Sequence, residues 1–388
     1  MCFFAGSQAF WRGAALTRSA PAPDLHGQEH LNGRWTLTGR KIVVALLVPL
    51  VAALASLPLG HWETDFLSFY AGAKLAGTGQ LYSLNAVHRI EAEYEREPAQ
   101  VRAYIRPAFY ALLLWPLGKL PFHAASVVWQ VLNVAAIGTF IWFWRRDRAV
   151  TIVLFMPLLI ALALGQDVPI FLAIFAGVVW LLRKNRFFAA GLVMALCAVK
   201  FHLFLLLPLV IAAKRLWRFA GGLAAGGAVL AGISFLAYGN WVPGFLAMLR
   251  MNEEHQNSQT YMVSIAGLLW NAPNAAVWLG SIILAAALAV WFCIQKVEVD
   301  EAMALALLAG VLLSVHAFIY DLGFLLPWIT LQRPERAVQF TVAVSAAILA
   351  VAFQVPYAGP LLILGASGWE IGRNMRNGPA LRPAPAAN

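Results

Sequence analysis

Charge is scarce in this chain, and most of it lies between long apolar runs. Asp, Glu, Lys and Arg together make up 12% of the 388 residues, against 61% hydrophobic residues and a mean hydropathy of +0.72. Soluble domains carry about a quarter charged residues, so a water-soluble fold is excluded and an all-α polytopic membrane protein is expected. Cysteine is nearly absent as well. Cys2, Cys197 and Cys293 are scattered, which leaves neither a disulfide framework nor a metal-binding spacing. Acidic residues are the minority, 18 against 28 Lys and Arg, for a net charge of +10. That excess does not point to nucleic acid, because the bases fall in short clusters between hydrophobic spans: Arg145-Arg146-Asp147-Arg148, Arg183-Lys184-Asn185-Arg186 and Lys214-Arg215-Leu216-Trp217-Arg218. Such clusters mark cytoplasmic loops.

Threading the spans through these anchors fixes a topology. Residues 1–40 are polar and carry Ala20-Pro21-Ala22-Pro23 without an apolar core leading to a cleavage site, so they read as a flexible cytoplasmic tail. The membrane domain is expected over 41–371 and a basic, disordered cytoplasmic tail over 372–388. A first span, 41–59, leaves the cytoplasm and a second full-length span, 122–144, returns to it, which places 60–121 outside. That loop balances six bases against six acids. Within it, Val87, Ile90 and Tyr94 are spaced to line one face of a surface helix. The stretch 107–120 is apolar but short and broken by proline, and reads as an interfacial or re-entrant piece.

The spacing of the inner clusters is more informative still. Only 27 residues separate Arg186 from Lys214, so 187–199 must run out and 201–213 back. At 1.5 Å per residue each leg covers roughly 20 Å, short of a ~30 Å hydrocarbon core. The turn, with Lys200 and His202, therefore lies below the outer surface, where irregular backbone is tolerated only inside protein or beside water. One long tilted helix over 187–213 is the competing geometry. Two further pairs repeat the pattern: 149–164 and 168–182 meet at Gly165-Gln166-Asp167, and 302–315 and 322–331 meet at His316-Ala317-Phe318-Ile319-Tyr320-Asp321. With spans near 219–237, 275–293, 337–353 and 360–371 the total is about twelve helices, and the polar turns converge on one outward-open cavity.

The first span runs into His61-Trp62-Glu63-Thr64-Asp65-Phe66, so two carboxylates stand at the outer boundary. Ionisable groups at that depth are costly and mark reaction or transport sites. Asp65 is the first candidate for a general base, able to take a proton from a bound hydroxyl, and Glu63 is the second. Asp65 reads equally as a helix N-cap. Gln166-Asp167 and Tyr320-Asp321 read also as turn and cap residues, and His316 as a hydrogen-bonded structural histidine. The run Gly221-Gly222-Leu223-Ala224-Ala225-Gly226-Gly227 lies within a span and reads as a helix-packing surface.

From about Asp65 to Asp321 the chain resembles glycosyltransferase family 87, polyprenyl-phosphate-mannose-dependent enzymes of the GT-C class of multispanning transferases. The resemblance rests on Asp65 with Phe69-Tyr70, Gly79-Gln80-Leu81-Tyr82, Tyr104-Ile105-Arg106-Pro107 with Pro116 and Pro121, and Trp129 with Asn133. It continues through Gly165-Gln166, Lys200-Phe201-His202 with Pro208, and Tyr320-Asp321. Ala108 and Phe201 stand where the family pattern usually has proline.

The resemblance implies transfer of mannose or a related hexose from a polyprenyl-phosphate carrier to a lipid or glycan acceptor, on the periplasmic side of a bacterial inner membrane. In that reading Asp65 is the base, and Lys200, His202 and Arg106 bind the donor phosphate. Glu63, Tyr70, Gln166, His316, Tyr320 and Asp321 line the cavity. A single inverting displacement needs one carboxylate and no covalent intermediate. With a lipid monophosphate as leaving group and no acidic motif of the nucleotide-sugar type, neither metal nor cofactor is expected. A transporter or flippase of lipid-linked sugar is the alternative, since broken helices and intramembrane charge suit it too. It is disfavoured because the two halves show no internal repeat.

Overall fold

The computed structural model describes residues 64–94, 103–255, 262–269, 272–314 and 316–352. The chain divides into Met1–Leu46, wholly outside those residues, and Leu47–Asn388, to which everything below belongs. The expected first span, last span and both tails, together with Glu63, also lie outside the described residues.

Among the described residues the protein is helical, without a β-strand; a single bridge joins Met262 to Phe318. Among the described residues four helical stretches are long and apolar enough to cross a bilayer: Phe122–Phe143, Phe187–Phe204, Trp217–Tyr238 and Ala275–Gln295. Their outward faces are what lipid contact requires. Val131, Leu132 and Trp142 on the first, and Val277, Trp278, Leu284 and Phe292 on the last, are exposed, an arrangement that water would penalise at about 25 cal/mol per Å².

The remaining apolar helices are shorter and pair out and back. The stretch Phe187–Phe204 is not one straight helix: α-helix Phe187–Met194 passes into 3₁₀ turns over Ala195–Phe204, and the backbone leaves helical geometry at Lys200 (φ −117°, ψ 43°). Helix Leu207–Ala213 then runs back. Two close approaches fix the direction. Phe188 meets Gly222, and Leu192 and Ala195 meet Gly226, so Phe187–Met194 runs parallel to Trp217–Tyr238. Both therefore start from the same end, and the intervening Leu207–Ala213 must return there. A methyl group at Gly222 would run into the Phe188 carbonyl, and one at Gly191 into Phe219. The glycine run is thus a helix-packing surface, as small residues in membrane helices usually are.

The other two pairs are built alike. Helices Ala149–Val153 and Met156–Ala163, interrupted at Leu154-Phe155 before Pro157, meet Val168–Arg183. Val299–Leu313 meets 3₁₀ turns Ile319–Leu325 and helix Leu326–Leu331. The basic end is tied by Arg183 to Asp300 at 2.6 Å and by Lys214 to the carbonyls of Gln295 and Val297. There Asn185 (φ +57°) and Arg215 (φ +53°) close their helices in left-handed turns.

In the segment 64–121, helices Thr64–Lys74 and Ala108–Gly118 pack so closely that Gly118 lies against the Ala73 carbonyl. The expected surface helix is Leu84–Ala92; Val87 is fully buried, and Tyr94 stacks on Phe122 at 4.7 Å.

Candidate active site

The polar turns of all three pairs meet. Lys200 Nζ lies 2.8 Å from Asp321 Oδ1 and 3.3 Å from Asp167 Oδ1, and all three side chains are at most 3% exposed. Asp167 also accepts a hydrogen bond from the Tyr110 hydroxyl (3.1 Å), and Arg106 Nε stands 3.7 Å from the same carboxylate oxygen. One lysine thus links the turns of the first and third pairs through the break of the second. Buried charges persist only when paired in this way.

Local structure explains each placement. Asp167 occupies the N-cap position of Val168–Arg183, yet its carboxylate makes no capping bond and turns to Tyr110, Lys200 and Arg106 instead. Asp321 does both jobs: Oδ2 accepts the Phe318 backbone N–H at 3.0 Å, as a third-position acid does in a capping box, and Oδ1 faces Lys200. The Lys200 ammonium also sits 5.4 Å from the centre of the Tyr320 ring. Arg106 lies over the Phe69 ring at 5.3 Å, and its carbonyl accepts the Tyr82 hydroxyl at 2.9 Å.

Asp65 lies in the first turn of Thr64–Lys74, inside the helix and not at an N-cap. Its Oδ2 accepts a hydrogen bond of 2.7 Å from Gln166 Nε2. Gln166 is held by a Schellman turn that ends Met156–Ala163: Gly165 N–H bonds to Leu162 O, Gln166 N–H to Ala161 O, and Gly165 takes φ +68°. Tyr320 lies within electrostatic reach of Asp65 as well as of Asp321, Arg106 and Asp167. His202 and His316 stand ring to ring at 6.4 Å, both within the field of Asp321 and Lys200, and His316 packs edge-on to Phe318 at 4.6 Å.

Of the residues singled out in the sequence, Asp65, Arg106, Gln166, Lys200, Tyr320 and Asp321 come together, with His202 and His316 beside them. Tyr70 does not join them; its hydroxyl donates to the Leu120 carbonyl (2.8 Å) and its ring packs against Phe122 and Tyr94. Two members escaped the candidate set. Asp167 was open to a cap reading that its side chain does not follow, although its place in a sunken turn beside Gln166 was a usable signal. Tyr110 is the one hydroxyl in the apolar run Ala108–Leu117, a polar group that must find a partner when buried. Among the described residues no three of His, Cys, Asp or Glu group as metal ligands do.

The family model described as Glycosyltransferase family 87 matches residues 104–318, more than half of the chain. The chain belongs to glycosyltransferase family 87. The match spans Arg106, Gln166, Asp167, Lys200, His202 and His316 and stops short of Tyr320 and Asp321. No curated protein and no solved structure matches the chain. A family 87 member is a membrane glycosyltransferase, and the apolar helices carry such an enzyme into the bilayer.

Proposed function

We propose that this protein transfers a hexose, mannose first, from a polyprenyl-phosphate carrier to a lipid or glycan hydroxyl by a single inverting displacement. The observation that carries the reading is the Asp65 carboxylate held at 2.7 Å by Gln166, beside a buried cluster that contains Arg106 and Lys200. The acceptor oxygen attacks the anomeric carbon while its proton passes to Asp65. The bond from that carbon to the phosphate oxygen breaks, and the electron pair leaves with the carrier phosphate. Arg106, Lys200 and His202 stabilise the charge that develops there. Lys200 is already paired with Asp321 and Asp167, so the phosphate binds by sharing cations with these carboxylates. Glu63, two positions before Asp65 in the sequence, is the alternative base, and His316 borders the substrate path. The positive-inside pattern orients the basic end to the cytoplasm and the cluster to the periplasm.

The test is direct. Purified protein is offered polyprenyl-phosphate mannose, glucose and arabinose, and carrier phosphate release is measured alongside Asp65→Asn. Release from the mannose donor, lowered roughly 10²-fold or more in the variant, is expected. Release from no donor moves the reading to a transporter, and normal turnover by Asp65→Asn moves the role to Glu63 or to no carboxylate at all.

A further inference from the structure

Phe66 and Gly165 form a clasp next to the proposed base. The glycine lies so close that an added methyl group would come within 2.7 Å of Phe66 Cβ. Trp129 spans both sides: its indole N–H donates to the Gly165 carbonyl at 2.7 Å, and its ring stacks on Phe66 at 5.6 Å. Asp65 and Gln166 are the residues immediately flanking the two halves of this clasp. Their side chains meet, Gln166 Nε2 donating to Asp65 Oδ2. The amide orientation is chosen by the carboxylate, because the reverse would set two acceptor oxygens against each other. Gln166 is 2% exposed, and its Oε1 has no hydrogen-bond partner among the described residues. A side chain placed only for packing would not carry an unmet acceptor into a buried turn.

We propose that Gln166 is a positioning residue that aims the Asp65 carboxylate, with the Trp129 clasp fixing the distance between the turn and the helix that carry them. The proposal rests on Asp65 being the base. Gln166 donates to Asp65 Oδ2 and so fixes the rotation of the carboxylate relative to the attacking hydroxyl. Gln166 itself exchanges no proton. Its removal lets the carboxylate rotate away from the attacking hydroxyl, a misplacement that costs turnover while leaving the donor phosphate subsite unchanged.

The experiment is a cycle of Gln166→Met and Asp65→Asn, run with the donor that turns over in the parent and followed over hours to reach the residual rate of the Asn variant. Methionine keeps the length and volume of glutamine without its N–H, and Gln166→Leu, which also lacks the donor and adds no charge, serves as a second replacement if the first fails to fold. Expected is a fall in kcat of roughly 10- to 100-fold for Gln166→Met with KM for the donor unchanged, and no further fall when it is added to Asp65→Asn. An equal fold-loss in both backgrounds, or a loss that appears in donor KM, overturns the positioning role and leaves the base in place. Parental turnover by Asp65→Asn overturns the base reading itself.

Discussion

Arg145 holds Asp147 at 2.7 Å on one end of the helices, and Lys200 holds Asp321 at 2.8 Å in the buried turns; the lengths barely differ. The surroundings do. Side-chain exposure is 32% and 58% in the first pair and 3% for each partner in the second. Water and salt screen the first pair, which is worth about 0–1 kcal/mol as exposed pairs are. The second has given up its hydration, so removing one partner strands a charge in apolar surroundings, at about 3–5 kcal/mol. Charge at the basic end stays partly in water and costs little to keep there. Charge in the three turns is retained against its cost, and Arg106, Asp167 and Tyr110 share in it.

The largest expected effect of breaking this contrast is that of Lys200→Gln. It leaves Asp321 without its lysine and Asp167 with Arg106 at 3.7 Å, and a loss of about 3–5 kcal/mol in unfolding free energy is expected in detergent. Donor binding should weaken as well, since a charge-assisted contact to phosphate contributes about 1.5–3 kcal/mol. Adding Asp321→Asn separates the two roles. The double variant removes a stranded carboxylate and should regain much of the stability, while donor affinity stays low. Recovery of both together would make Lys200 purely structural; parental donor affinity in the single variant would take it out of the phosphate site.

A middle-sized effect is expected at Gly165. Its φ of +68° costs any L-residue roughly 1–2 kcal/mol, and a methyl group there presses on Phe66 Cβ. Gly165→Ala should lower the midpoint by about that amount, and turnover should fall further than stability because the turn moves away from Asp65. Turnover that merely follows the folded fraction would mean the clasp does not set the distance between Asp65 and Gln166.

How much of this was legible beforehand divides along the same line. The out-and-back pairs followed from counting residues between basic clusters, since a helix has a fixed rise and a bilayer a fixed thickness. The break at Lys200 followed from the same count, and the close packing at the glycine run from small residues lying within a span. Partner choice did not follow. Lys200 and Asp321 are separated by 121 positions, and no periodicity relates them; only the folded turns do. Asp167 was open to a cap reading because local rules favour an acid before a helix, whereas tertiary partners took its carboxylate. Tyr70 was set beside Asp65 although five residues along a helix is about 140° around it; Phe69, at four, shares the Asp65 face and lies under Arg106. Glu63 lies outside the described residues, so its standing against Asp65 rests on the turnover test.

The smallest effect belongs to the exposed pair. The hydrogen bond from Arg145 lowers the Asp147 pKa below its ordinary value of 3.8, against the opposing pull of partial burial. A carboxylate with a depressed folded pKa stabilises the protein above its unfolded pKa and loses that contribution as pH falls through the folded one. Between pH 5 and 8 the contribution is therefore constant, and because Asp147 is more than half exposed it is small. Arg145→Ala should shift the unfolding midpoint by no more than the ~0–1 kcal/mol of exposed pairs at pH 7. The difference between parent and variant should shrink below about pH 4 and in 1 M salt, where screening reaches ~3 Å. Turnover should not change at any of these conditions. If Arg145→Ala destabilised the protein as much as Lys200→Gln, or slowed transfer, burial would no longer separate the two ends, and the basic end would need a role beyond orientation.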